Sequence, residues 1–363
     1  MFRGTEKYPP ERYNAIVTEM GADTNGSTWD DRTMYYLHFP SRYLEKVIEI
    51  ESDRFQNLKY SKAAFQTEAK AVLGEYNKDF ANPFFQTDEK VRDTAFDKST
   101  YKHSAMGFIK DIQDMPNQYD YSLQFFNRFY RPENCIILIT GSFNSQEAVA
   151  LVKKYYSNWK PGNYKTSNPP EPEQTAERTA KIDYAGDTLP ILAISYKTPA
   201  YNPSDREYAA LWLLGPLAFG ETSELYRQLV LKDQLVDLLE PDFEPHRDPY
   251  LFSIYARLKK AEDLPTVQEA IDRTLENMQN KPVEDKRLAD LKSNIKYSFL
   301  LSLDTSKSTA FQLSQYINLT RDIASLDTLF KTFDSITAED IQKAAQKYFG
   351  ARKRTVVTLT GGK

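Results

Sequence analysis

At 363 residues the chain is longer than one ordinary domain and suits two domains of about 150–200 residues each. Forty per cent of its residues are hydrophobic, including 24 tyrosines and 21 phenylalanines, which is enough apolar surface for two cores. A net charge of −4 and an isoelectric point near 5.7 give no general attraction to nucleic acid or to an anionic membrane surface. No apolar run approaches the roughly 18 residues of a membrane-spanning helix.

The first predicted elements in chain order are a short helix and a hairpin. Prolines at the start and a glycine at the end predict a helix over residues 9–21. Residues 22–29 form an extended run, and a turn at Asp30–Asp31 returns it as a second strand over residues 32–39. By propensity alone, Asn25–Gly26 would itself form a tight turn, which would interrupt the first strand.

The spacing of apolar residues over 61–80 predicts a helix that carries two carboxylates at the edge of its apolar face. Its apolar residues recur every three or four positions, as in a helix packed on a core: Phe65, Ala69, Val72, Tyr76 and Phe80. Ser61 stands at the N-cap position. Glu68 and Glu75 are two turns apart and nearly superposed, each about 60–80° from the centre of the apolar stripe.

A carboxylate at the border of a protein interior costs free energy unless a cation or hydrogen-bond donors satisfy it. The ordinary interpretation is that Glu68 and Glu75 are boundary residues neutralised by lysine or arginine from a neighbouring element, since glutamate is favoured in helices. The functional interpretation is that they serve a metal site. Spacing alone favours the ordinary interpretation and leaves both open.

The remainder of the first half is predicted to be mainly helical. Further helices are expected over residues 41–56, 84–96, 108–114, 118–130 and 145–159. Residues 134–140 predict a buried strand that contains Cys135, the single cysteine, as a structural thiol. A run rich in proline, asparagine and charge predicts a linker over 161–176 between domains at 1–160 and 177–363.

The second half repeats the pattern of the first. Strands are predicted over 182–184, 191–196, 251–258 and 354–361, and helices over 204–219, 222–232, 265–278, 284–317, 326–333 and 337–349. The helix, strand and Thr-Gly ending of residues 125–141 matches that of residues 345–361. Two copies of one unit predict two similar domains.

Three segments together resemble the insulinase (pitrilysin-like, M16) zinc metallopeptidases, of the two-domain bacterial type related to the mitochondrial processing peptidase. They are Phe-Arg-Gly-Thr at residues 2–5, the run from Met20 to Tyr36, and Glu68-Ala-Lys-Ala-Val-Leu-Gly-Glu75. The resemblance implies an α+β fold of two similar domains, each an antiparallel-rich sheet with helices packed on one face. In that family a His-x-x-Glu-His helix runs directly into Phe-(Lys/Arg)-Gly-Thr, so we expect the chain to be an N-terminally truncated member.

The resemblance also assigns the two glutamates. It makes Glu75 a zinc ligand and Glu68 a residue that supports the catalytic site by orienting its neighbours. None of His38, His103 and His246 lies four residues from another. We therefore expect this chain to lack two zinc ligands and the general base, to be inactive as given, and to retain little zinc.

The resemblance implies a peptide-binding edge strand with the pattern Asn-Ala-x-Thr. Residues Asn25, Gly26, Ser27 and Thr28 match this pattern, with glycine in place of the usual alanine. The resemblance therefore overrides the turn predicted by propensity, and we expect these residues to bind extended peptide substrates through main-chain hydrogen bonds.

One departure from the family concerns an Arg-x6-Tyr pair that binds the substrate carbonyl. Val230 and Asp237 occupy the corresponding positions, and neither can donate a hydrogen bond to an oxyanion at neutral pH. We therefore expect a second M16-like subunit to supply the pair to a zinc-dependent endopeptidase. The alternatives are a non-catalytic structural or peptide-binding subunit of an M16-like heterodimer and an unrelated two-domain binding protein. The bacterial resemblance favours a periplasmic or cell-envelope location, with the cytoplasm as the alternative.

Overall fold

A computed structural model describes residues 1–166 and 168–362, which divide into two compact units. The first unit comprises residues 1–77, 105–166 and 304–314, and the second comprises 78–104, 168–303 and 315–362. Each unit is therefore built from three separate segments of the chain. The linker and the two domains expected from the sequence remain a prediction.

The helices and strands alternate irregularly along the chain. The helices are α1 (Pro10–Glu19), α2 (Leu44–Asn57), α3 (Lys62–Phe80), α4 (Pro83–Ala95), α5 (Ile109–Asp114), α6 (Tyr119–Phe129), α7 (Ser145–Tyr156), α8 (Arg206–Phe219), α9 (Glu224–Tyr226), α10 (Leu264–Asn280), α11 (Asp285–Leu301), α12 (Ser306–Thr320), α13 (Ser325–Ser335) and α14 (Ala338–Tyr348). The strands are β1 (Asp23–Thr28), β2 (Thr33–His38), β3 (Arg178–Tyr184), β4 (Ile191–Lys197), β5 (Val236–Asp242), β6 (Leu251–Leu258) and β7 (Arg354–Gly361).

The first unit contains a small sheet and a helical core. β1 and β2 form a two-stranded antiparallel hairpin, and the backbone N–H of Trp29 donates to the carbonyl of Arg32 at 2.8 Å across the turn. One cluster of buried residues comes from the start of the chain, α1 and α2: Tyr8, Tyr13, Val17, Met20, Val47 and Ile50. The expected strand through Asn25–Gly26 therefore forms, and the alternative tight turn does not.

The second unit is built on a five-stranded sheet in the order β3-β7-β4-β6-β5. Its strands are antiparallel neighbours except for β3 and β7, which are parallel. Side chains alternate across β4, so Leu192 and Ile194 join the main core with α8, α10 and α14, while Ala193 faces a smaller cluster that includes Val91 of α4. Helices therefore cover both faces of this sheet.

The α+β class is confirmed, and several local predictions need correction. The predicted buried strand at 134–140 is wrong, because residues 135–140 are assigned to no strand and Ile136 and Ile137 are nearly half exposed. The predicted helix over 284–317 is two helices, since Thr305 accepts a hydrogen bond from the backbone N–H of Ser308 at 3.1 Å and caps α12. β5 was not predicted. In the part of the chain that is described, every helix is too short or too polar to cross a bilayer.

Candidate active-site region

Helix α3 presents both predicted site glutamates on its outer face. Ser61 caps the helix by accepting a hydrogen bond from the backbone N–H of Ala64 at 3.1 Å. Ala69 and Tyr76 are 1% and 5% exposed and form the inward stripe, as the spacing predicts. Glu68 and Glu75 are exposed, so packing of the apolar stripe fixes the helix and leaves both carboxylates accessible to solvent.

The first residues of the chain are bound by hydrogen bonds to the end of α2 and contact α3. Gly4 has a φ of +76°, and a Cβ at this position would lie 2.5 Å from the carbonyl oxygen of Tyr8, so this turn requires glycine. The Thr5 hydroxyl donates to the carboxylate of Asp53, and the backbone N–H of Lys59 donates to the Gly4 carbonyl at 3.3 Å. The Phe-Arg-Gly-Thr segment is thereby held in one place.

This anchoring places an arginine against the first of the two glutamates. The guanidinium of Arg3 donates to the carboxylate of Glu68, with the two side chains 40% and 47% exposed. Glu75 lies two turns further along α3, about 10 Å along the helix axis, and among the described residues it makes no hydrogen bond or ion pair. The ordinary interpretation, neutralisation by a neighbouring cation, thus holds for Glu68 and not for Glu75.

The described residues alone do not fit a zinc ion. A hydrolytic zinc site uses three protein ligands, and within residues 1–166 and 168–362 no group of three or more His, Cys, Asp or Glu side chains is arranged to hold a metal. His38 ends β2 and is exposed. His103 and His246 belong to the second unit, where His246 is 6% exposed and stacks on Tyr250. Glu75 would supply one ligand of the three.

The four residues predicted to bind peptide lie together on β1. β1 pairs with β2 along one edge, with Asn25 opposite Tyr36 and Gly26 opposite Tyr35. Within the described residues no strand pairs with the other edge of β1. The side-chain oxygen of Asn25 accepts from the backbone N–H of Gly26 at 2.8 Å. An exposed strand edge of this kind is suited to strand addition.

Gly26 is packed beneath two aromatic rings. A Cβ at this position would lie 3.2 Å from Tyr35 Cδ1 and 3.3 Å from Phe2 Cζ. The Tyr35 ring is held from its far side by a 2.6 Å hydrogen bond between its hydroxyl and that of Tyr130, and by an edge contact with Phe55. The departure from the usual alanine at Gly26 is therefore explained by close packing against Tyr35 and Phe2.

A buried arginine packs against the aromatic rings next to β1. Arg54 is 2% exposed, forms an ion pair with Glu51, and has its guanidinium 5.2–5.4 Å from the ring centres of Phe2, Tyr13 and Tyr35. This cluster was not predicted from the sequence. Its only signal was an arginine at an inward position of α2, and charged residues at such positions more often point out to solvent.

A distant segment also reaches β1 and was not foreseen. Residues 304–314, from the start of α12, belong to the first unit. The Lys307 ammonium binds the carboxylate of Asp23 at 2.6 Å, and the ring of Phe311 packs edge-on against Tyr36 at 5.0 Å between centres. No sequence spacing relates these pairs, because they are separated by more than 270 residues.

The positions expected to lack the arginine and tyrosine pair lie in the second unit. Val230 belongs to a π-helix over Arg227–Lys232. Asp237 lies on β5, where its two carboxylate oxygens accept from Arg257 at 2.8 and 2.9 Å. Asp237 is therefore an acceptor already engaged in a bidentate ion pair, and neither position supplies a donor for a substrate carbonyl.

The chain is similar in sequence to known peptidases. Residues 1–108 match the sequence family described as "Insulinase (Peptidase family M16)", and residues 118–295 match "Peptidase M16 inactive domain". The chain is 27% identical to the zinc protease PqqE of Helicobacter pylori, over 99% of this chain and 81% of that protein. It is 21% identical to a probable mitochondrial-processing peptidase subunit beta of Arabidopsis thaliana, over 96% of this chain and 66% of that protein.

Solved structures agree with the sequence matches. The fold superposes on the crystal structure of a protease from Helicobacter pylori with a TM-score of 0.90 at 25% identity, covering 99% of this chain and 87% of that one. It also superposes on the first half of the periplasmic protease PqqL from Escherichia coli with a TM-score of 0.78 at 18% identity, covering 99% and 80%. The chain therefore belongs to the insulinase, or M16, family of peptidases.

Proposed function

We propose that this chain is part of a zinc-dependent metalloendopeptidase that cleaves extended peptides, and that it supplies the third zinc ligand and the substrate strand. The observation that carries the proposal is the accessible, unpaired carboxylate of Glu75 on a rigidly packed helix next to the Phe-Arg-Gly-Thr segment. The two remaining ligands and the general base would come from a His-x-x-Glu-His helix joined to that segment. The chain as given is then inactive.

Glu68 and Glu75 have different roles in this proposal. The carboxylate of Glu75 is free to bind a cation, since the described residues give it no partner. Glu68 is held by Arg3, so it is suited to fixing the segment that leads into the site and not to binding the metal. Zinc, when bound, would polarise the scissile carbonyl and activate a water molecule.

The free edge of β1 is the proposed substrate site. A peptide bound there as an added strand would exchange main-chain hydrogen bonds with alternate residues of Asn25–Thr28. Main-chain recognition is tolerant of side chains, so the substrates would be unfolded or extended segments of many sequences. The ring of Tyr35 packs closely against Gly26, its partner across the hairpin.

A second M16-like subunit is proposed to supply the arginine and tyrosine donors. Val230 cannot donate, and Asp237 is committed to Arg257, so oxyanion stabilisation would need donors from another chain. The same observation favours a second candidate function, a non-catalytic peptide-binding subunit of a heterodimer. A periplasmic or cell-envelope location is proposed from the likeness to the periplasmic protease PqqL.

Metal analysis of matched variants tests the proposal. The chain as given should retain less than about 0.1 zinc per molecule after dialysis, because one carboxylate is a poor site. The protein extended by its upstream coding sequence should hold about one zinc. In the extended protein, Glu75→Gln should abolish zinc binding, while Glu68→Gln should keep the zinc and lower peptidase activity. With both proteins compared in the metal-free form, Glu75→Gln should change the free energy of unfolding by less than about 0.5 kcal/mol.

Glu147→Gln, a change at an exposed glutamate of α7, is the control and should alter neither zinc content nor activity. Equal zinc content in the extended wild type and its Glu75→Gln variant would overturn the ligand assignment. An upstream sequence without His-x-x-Glu-His would overturn the catalytic proposal and support the non-catalytic subunit.

A further inference from the structure

β1 needs support from other parts of the chain to stay extended. Its sequence, Asp-Thr-Asn-Gly-Ser-Thr, is rich in residues that are depleted in strands, and Asn25–Gly26 favours a tight turn. Within the described residues β1 pairs with β2 alone, and a two-stranded hairpin is marginally stable in water at best. Contacts from outside the hairpin must therefore hold β1 in its extended conformation.

The two faces of the hairpin are contacted by different parts of the chain. Successive residues of a strand point to opposite faces, and residues directly opposite each other share a face. Gly26 and its partner Tyr35 therefore share one face, where both pack against Phe2. Asp23 and Asn25 lie on the other face with their own partners on β2. The first turns of α12 contact this second face.

Lys307 and Phe311 make the contacts from α12. They are four residues apart and therefore lie on one side of the helix. The Lys307 ammonium binds the Asp23 carboxylate at 2.6 Å and lies 4.9 Å from the centre of the Tyr36 ring. The Phe311 ring meets Tyr36 edge-on at 5.0 Å between centres. One side of α12 thus contacts β1 at its first residue and β2 at the position opposite Asn25.

The start of α12 is itself fixed within the first unit. The Thr140 hydroxyl donates to the Ser306 carbonyl at 2.8 Å. The Thr305 hydroxyl accepts from the backbone N–H of Ser308 at 3.1 Å and caps the helix. These hydrogen bonds give the two contact residues of α12 a defined position against the hairpin.

The place of Lys307 in its helix is electrostatically unfavourable. Lys307 is the second residue of α12, and the positive end of the helix dipole disfavours a cation in the first turn. The ion pair with Asp23, between side chains that are 40% and 56% exposed, offsets this effect. Lys307 therefore contributes more to holding β1 than to forming α12.

We propose that Lys307 and Phe311 are positioning residues that keep β1 extended and thus ready to accept a peptide as an added strand. The inference rests on the proposed function, because it concerns the same edge of β1. A peptide adds to this edge only while the strand is extended. Its apparent affinity is therefore the intrinsic affinity multiplied by the fraction of molecules in which β1 is extended, and losing the contacts with α12 lowers that fraction.

The two contacts differ in expected size. An ion pair at this degree of exposure is weak, and its loss should increase local opening of the hairpin about 2- to 5-fold. An edge-to-face aromatic pair is stronger, so loss of both contacts should increase opening about 10-fold or more. These changes are large enough to measure because the hairpin has little stability of its own.

Hydrogen exchange of the chain as given measures this opening. Lys307→Asp removes the ion pair, places a like charge against Asp23 and puts an acidic residue where the helix dipole favours one. The paired amides of β1 and β2 should lose protection about 5-fold. The free energy of unfolding in urea should change little, since the weakened hairpin and the improved helix have opposite effects. Lys307→Asp with Phe311→Ala should lower protection about 10-fold or more.

A charge exchange and a matched lysine provide the controls. Asp23→Lys alone should lower protection, and Asp23→Lys combined with Lys307→Asp should restore it by re-forming the pair with its charges exchanged. Lys286 is also the second residue of a helix, α11, and binds Asp290 at 2.5 Å in an exposed pair. Lys286→Asp should therefore leave the protection of β1 and β2 unchanged.

Peptide binding is the second measurement. The probe is a fluorescein-labelled peptide of about ten residues, rich in valine and threonine and blocked at both ends, and its anisotropy reports binding to the chain as given. Affinity should fall about 5-fold in Lys307→Asp, return in the charge exchange and stay unchanged in Lys286→Asp. A lysine that only stabilised the fold would not give this loss at unchanged urea stability.

Wild-type protection and affinity in the variant that lacks both contacts would overturn the inference. A charge exchange that fails to restore protection would also overturn it, because Lys307 would then act through a group other than Asp23. Protection that falls and returns as expected, in a protein that does not bind the peptide in any form, would support the positioning of β1 and overturn the proposed peptide site. The charge-exchange series changes exposed side chains only, so it decides the inference even where Phe311→Ala does not fold.

Discussion

Replacing Gly26 by alanine tests whether the substrate strand is held by the packing beneath it. The new Cβ would lie 3.2–3.3 Å from atoms of Tyr35 and Phe2. Phe2 is 45% exposed and can move aside. Tyr35 cannot easily yield, because Tyr130 holds its hydroxyl at 2.6 Å and the ring of Phe55 packs against it.

Two opposing effects set the size of the change. Overpacking a well-filled site costs about 1–3 kcal/mol, and restricting the unfolded chain at a former glycine regains about 0.4–1 kcal/mol. We expect Gly26→Ala to lower the free energy of unfolding by about 1 kcal/mol, which corresponds to a fall in the thermal midpoint of roughly 2–4 °C for a unit of this size.

Gly74→Ala is the matched control. Gly74 lies inside α3, it is exposed, and a Cβ built there meets nothing within 4 Å. The substitution should stabilise the protein by about 0.5–1 kcal/mol through helix propensity alone. Both variants are compared with the wild type by urea unfolding and by calorimetry. A Gly26→Ala variant as stable as the wild type, measured alongside a stabilised Gly74→Ala variant, would refute the packing account of this strand.

Two further predictions concern buried charges. Burial raises the pKa of Glu171, but hydrogen bonds from Lys197 at 2.7 Å and from the backbone N–H groups of residues 97–99 at 2.8–2.9 Å lower it more, to about 2. Because this pKa is lower than in the unfolded chain, Glu171→Gln should lower the free energy of unfolding by about 3 kcal/mol near pH 7. In urea unfolding, this loss should shrink as the pH falls from 4.5 towards 2, and a loss independent of pH would contradict the prediction. Arg54→Ala should lower the unfolding free energy by about 3–5 kcal/mol, since Glu51 is left buried without its cation, and a loss below about 1 kcal/mol would show that the pair is not buried in solution.

Elements with a continuous apolar run were predictable from the sequence, and elements defined by their neighbours were not. The predicted bounds of β6 and β7, residues 251–258 and 354–361, agree with the structure because both strands are buried on two faces. β5 escaped prediction because its apolar and acidic residues alternate irregularly around Pro241 at the sheet edge.

The candidate site was predictable to the extent that one helix defines it. Periodicity placed Glu68 and Glu75 on one exposed side of α3, and the cap at Ser61 followed from residue type. The partner of Glu68 could not be predicted from the sequence, because Arg3 is 65 residues away and is positioned by the left-handed turn at Gly4. Long-range pairs of this kind depend on tertiary structure that no local spacing encodes.

The error at residues 134–140 has a different origin from these omissions. Its residue types do specify a central strand, as Val356 and Val357 show in the second copy of the unit. A strand, however, is defined by hydrogen bonds to a neighbour, and no strand among the described residues pairs with residues 135–140. Local sequence therefore specified the conformation correctly and could not specify the pairing.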